Sequence, residues 1–67
     1  MNAIFQAGNG AWDVTNYPYG GKFVRPAVDT PCEVIATGHV KYPALEKRVK
    51  LADGRIWIVR EAALVAG

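Results

Sequence analysis

Turn-forming residues divide this chain into pieces too short for ordinary helices. The runs AGNG (7–10), NYPYGG (16–21), VDTP (28–31), KYP (41–43) and ADG (52–54) each combine Gly, Pro, Asn or Asp. Such residues supply a positive φ, a fixed φ, or a side chain that bonds its own backbone. Between them lie AIFQ, AWDVT, KFVRP, CEVIATGHV, KRVKL and RIWIV, rich in β-branched and aromatic residues. Short runs of this kind at regular spacing predict a small all-β sandwich or barrel. The one helical competitor is ALEKRVKLAD (44–53), where Leu45, Val49 and Ala52 have helical spacing. Val49 and Leu51 also alternate with Arg48 and Lys50, however, and Asp53-Gly54 then supplies a hairpin turn. The pattern therefore predicts paired strands over 47–51 and 55–60. REAAL (60–64) is long enough only for a 3-10 turn, and VAG reads as a last short strand. No repeat, low-complexity tract or linker is visible, so residues 1–67 read as a single domain.

A domain of 67 residues buries only about 60% of the surface its unfolded chain exposes, and needs a dense core or outside help. Cys32 is the only cysteine, so no disulfide forms within the chain. Cys32 and His39 alone cannot assemble a four-ligand zinc site. A close-packed core or a homo-oligomer remains, and no cofactor is expected. MNAIFQAGNG lacks the basic start and unbroken apolar run of a secretory signal. No stretch approaches the roughly 20 apolar residues that cross a bilayer. The expectation is a cytoplasmic protein with no membrane partner, in keeping with a lone cysteine.

The closing order of hairpin, aromatic strand, one-turn 3-10 helix and short final strand resembles the end of a Src-homology-3-like barrel. The expected fold is thus a partly open all-β barrel of five or six strands. GRIWIVREAALVAG, about 14 residues, is also similar in spacing to the tail of the type II dihydrofolate reductases. That resemblance implies an oligomeric enzyme with a Gln and a Tyr lining a shared pore. The matching positions here are Trp57 and Val59, which cannot do that chemistry. Fold alone does not carry function.

Catalytic residues are scarce. The chain has no serine, and Cys32 and His39 stand seven apart, on opposite faces of one strand. A buried Cys32 and a surface His39 are the commoner roles. A non-catalytic binding or adaptor protein is expected instead. Lys41, Lys47, Arg48, Lys50, Arg55 and Arg60 give residues 41–60 a basic excess over Glu46 and Asp53, although the whole chain carries only +2. If Val49, Leu51, Ile56 and Ile58 face inward with Val34, then Arg48, Lys50, Arg55 and Trp57 share the outside. That patch, with Lys47, suits a protein partner or, alternatively, nucleic acid stacked on the indole. Val59 shares the face of Trp57, which leaves a core role for the indole open. Tyr17 and Tyr19 flank a proline in a Gly-bounded loop. They fit a protein-binding platform, or a lid over one end of the core. Modest net charge favours the protein partner over nucleic acid.

Overall fold

The computed structural model describes residues 1–37 and 45–67, without the side chain of Thr37. Among these residues seven strands form one antiparallel sheet: β1 (Asn2–Phe5), β2 (Ala11–Asp13), β3 (Lys22–Val24), β4 (Thr30–Thr37), β5 (Glu46–Leu51), β6 (Ile56–Arg60) and β7 (Leu64–Ala66). A 3-10 turn, Glu61–Ala63, joins β6 to β7. The expected hairpin, 3-10 turn and final strand are all present, and the strand count exceeds the five or six expected. His39, Lys41, Tyr42 and the KYP turn lie outside the described residues. No described helix is long and apolar enough to cross a membrane.

The sheet order is β3-β2-β6-β5-β4-β1-β7, open between its two outer strands. The N-terminal strand β1 is therefore not an edge: it pairs with β4 on one side and β7 on the other. The β5–β6 hairpin turns through Ala52-Asp53-Gly54, with the Gly54 amide donating to the Leu51 carbonyl at 3.0 Å. Gly54 adopts φ +89°, a left-handed conformation that costs glycine no steric penalty. Asp53 Oδ1 accepts the Arg55 amide at 3.0 Å. Local chemistry thus fixes the register that sets Val49 opposite Trp57 and Arg48 opposite Ile58.

The sheet curls around its buried face. Three strand spacings separate β6 from β1, roughly 14 Å in a flat sheet. Yet the Phe5 and Trp57 rings meet edge to face with centroids 5.8 Å apart. The connection from β6 to β7 demands the same curvature, because one 3-10 turn rises only about 2 Å per residue. The Gln6 amide donates to the Ala63 carbonyl at 2.8 Å, tying the turn to the end of β1. A register shift between Val34 and Ala36 places an extra residue, Ile35, in β4, and such a bulge increases bend and twist.

The core comprises Ala3, Phe5, Ala11, Cys32, Val49, Leu51, Trp57, Val59 and Ala63, with Val24, Val34 and Leu64 packed against it. This corrects the phase expected for β6. Val49 and Leu51 do face inward, but their partners there are Trp57 and Val59. Ile56 and Ile58 are half-buried on the outer face. Alternation separates the two faces of a strand without ranking them when both are apolar. The indole wins the inner side because it fills the volume beneath a strongly curled sheet and contacts Phe5 across it.

Candidate surface for macromolecular binding

Direct strand pairing carries one row across five strands: Phe23, Trp12, Ile58, Arg48 and Ala36. Paired residues project to the same side of a sheet, so this row crosses the outer face. The next outward positions bring Ile56, Lys50 and Glu33 alongside it, and Glu46 opposite Arg60 lies beyond. Trp12 is 48% exposed and Phe23 54% exposed. Their ring centroids are 6.0 Å apart with planes tilted by 55°.

These half-exposed rings are held in place by two glycines. A Cβ at position 10 would lie 2.2 Å from Phe23 Cζ, and one at position 21 would lie 2.3 Å from Trp12 Nε1. Each ring therefore lies against bare backbone where any other residue would push it away. Aromatics covering glycines in this manner stabilise the exposed hairpin at a sheet edge. Arg25 completes the arrangement. Its guanidinium carbon sits 5.5 Å from the Phe23 ring centroid, and its Nη1 donates to the Gly8 carbonyl at 2.7 Å.

The β2–β3 hairpin is fastened to β6 by a polar latch. The Asp13 carboxylate accepts the Thr15 amide at 3.0 Å, the Thr15 hydroxyl, and Arg55 Nη1 at 2.8 Å. Thr15 Oγ1 in turn accepts the Ile56 amide at 3.0 Å. Hydrogen bonds from the Thr15 hydroxyl and amide, with Arg55 behind them, hold the Asp13 carboxyl below the usual carboxylate range. Burial pushes the Cys32 thiol up, which suits an unreactive core cysteine.

The residues expected to form one patch are thus dispersed. Trp57 is only 8% exposed, and its indole N–H is buried without an acceptor among the described residues. Arg55 is engaged by Asp13 at 2.8 Å and Asp53 at 3.8 Å. Lys47 faces the inner side opposite Val59 and reaches Glu61 at 3.8 Å. Arg48 and Lys50 do lie on the outer face, beside Trp12 and the two isoleucines rather than Trp57. Tyr17 and Tyr19 are 78% and 92% exposed, so they do not close over the core. Sequence reasoning missed Trp12 and Phe23 as site residues. The available signal was their position beside Gly10 and Gly21, glycines that leave room for a ring. The positions at which the reductases carry pore residues, Trp57 and Val59, are both spent in the core of this domain.

No known family's model matches the chain, and no curated protein or solved structure is significantly similar to it.

Proposed function

We propose that the chain is a small Src-homology-3-like barrel acting as a non-catalytic binding domain, which contacts another protein through its outer sheet face. The barrel reading is supported by the β4–β5–β6 meander, the 3-10 turn, and a last strand that returns to β1. The binding reading is carried by one observation: Trp12 and Phe23 are half in solvent yet locked over glycine backbone. An aromatic fixed in advance gives up little conformational entropy on binding. Ile58 and Ile56 extend the apolar area, and Arg48, Lys50 and Arg60 rim it, the usual anatomy of a protein contact. Nucleic acid is the second reading, because the same cations surround the same rings. The tilt of the rings, the +2 net charge, and the acids Glu33 and Glu46 on this face favour protein.

Selection of displayed random peptides on the wild-type protein, with counter-selection on Trp12→Ala, tests the proposal. Binders should lose about 2 kcal/mol or more on Trp12→Ala, as expected for a central aromatic anchor. Their amide shift changes should centre on β2, β3 and β6. Binders indifferent to Trp12 and mapped to another face would overturn the assignment. Strongly salt-dependent binding of a labelled oligonucleotide that quenches Trp12 would put nucleic acid in the partner's place.

A further inference from the structure

Phe23 stands between two clefts. On one side Trp12, Ile58, Glu46 and Arg60 form the walls. On the other, Asn9, Gly10, Arg25 and Arg60 do so, with Ala62 and Ala63 of the 3-10 turn beneath. Arg60 borders both. Two arginines thus line the second cleft, and among the described residues neither has a carboxylate within 4 Å. Glu46, the cross-strand neighbour of Arg60, belongs to the first cleft only. Arg25 is oriented without being neutralised. One N–H goes to the Gly8 carbonyl at 2.7 Å and one face lies against Phe23. A guanidinium has five donors, so most of them remain for another acceptor.

We propose that the Arg25–Arg60 cleft receives a side-chain carboxylate of the partner, and the adjoining Trp12–Ile58 cleft an apolar side chain next to it. The preferred ligand is therefore an acidic peptide segment with a large apolar residue beside the acid. This inference rests on the protein-binding reading above. The occupant follows from charge complementarity: two cations at one end, an apolar wall at the other, and a single aromatic dividing them. Planar, bidentate recognition of carboxylate is what a pre-oriented arginine does best. Holding Arg25 in place beforehand also lowers the entropy lost on binding.

The test uses two displayed peptide libraries, alike except that one fixes Asp or Glu at regular intervals and the other fixes Asn or Gln. The acidic library alone should yield binders that depend on Trp12. Those binders should weaken about tenfold or more on Arg25→Ala or Arg60→Ala, the loss of a charge-assisted hydrogen bond. They should weaken further as salt is raised. Both arginines are exposed, so their alanine variants should stay folded, with amide shift changes confined to the residues lining the cleft. Trp12-dependent binders drawn equally from the neutral library would overturn the acidic inference and leave the protein-binding reading standing. Acidic binders indifferent to Arg25 and Arg60 would do the same. Failure of both libraries to give Trp12-dependent binders would overturn both readings. So would displacement of the bound peptide by a short thymidine oligomer at lower concentration than the peptide itself.

Discussion

Trp57 sits where the strand's alternation leads but its neighbours do not. Its ring closes the core against Phe5, while its N–H is buried with no acceptor among the described residues. The same side chain thus stabilises by area and costs by polarity. Leaving a buried donor unmade costs about 1–3 kcal/mol, and removing a large aromatic from a core costs about 3–5 kcal/mol. Trp57→Ala should therefore lose most of the stability of so small a domain. Trp57→Phe should lose clearly less, since it keeps a ring in the core against Phe5. Urea unfolding of both variants checks this, and equal losses would show that a ring at this position does not stabilise the core. Ile58→Ala, on the half-buried face, should cost less than Trp57→Ala, the reverse of what an inward Ile56 and Ile58 would give. The two faces of β6 were legible in the sequence. Which face turns inward was not, because Ile-x-Ile and Trp-x-Val are equally apolar and the choice lies in curvature set by distant pairings.

At the level of elements, the hairpins and the 3-10 turn follow from local chemistry, and so they could be read directly. Asp53-Gly54 fixes one turn, and Glu61–Ala63 is too short for anything but a single 3-10 turn. The latch between the β2–β3 hairpin and β6 could not be read, because Asp13 and Arg55 stand 42 residues apart. It makes the hairpin sensitive to acid. The folded pKa of Asp13 lies below its unfolded value, near 3.9 for a free side chain. The folded state then binds fewer protons, so this stabilisation is complete above the unfolded pKa. It is lost as pH falls through the folded one. Asp13→Asn should flatten the decline of stability between about pH 5 and pH 2, followed by thermal melts at each pH. An unaltered decline would assign it to other carboxylates. The glycines beneath the rings make a second prediction. Gly21→Ala places a Cβ within 2.3 Å of Trp12 Nε1, so the indole must move. The Trp12 emission should change while Trp57, in the core, keeps its own, which Trp12→Phe and Trp57→Phe backgrounds separate. An unchanged Trp12 spectrum would mean that its ring is not seated on Gly21.

The whole molecule combines a small core with a sheet that does not close. Two strands of three residues, β3 and β7, each leave one edge unpaired among the described residues, and no disulfide joins any part of the chain. Open edges are templates for pairing with another chain, and their shortness limits but does not abolish this. Trp12 and Phe23 lie at the β3 edge, and Val65 is exposed on β7. The fold therefore places apolar side chains beside both of its free hydrogen-bonding edges. A domain of this size gains much from any contact that covers them, since binding to the folded state alone stabilises it by mass action. Self-association is the expected outcome. Sedimentation at micromolar concentration should report more than a monomer, and the melting temperature should rise with protein concentration. Val65→Lys places a charge at the β7 edge, a device that natural sheets use against edge pairing. If β7 is the contact, this change should return the chain to a monomer and remove the concentration dependence. A wild-type monomer whose melting temperature does not change with concentration would show that the curled core of Phe5, Val49, Trp57 and Val59 is sufficient on its own.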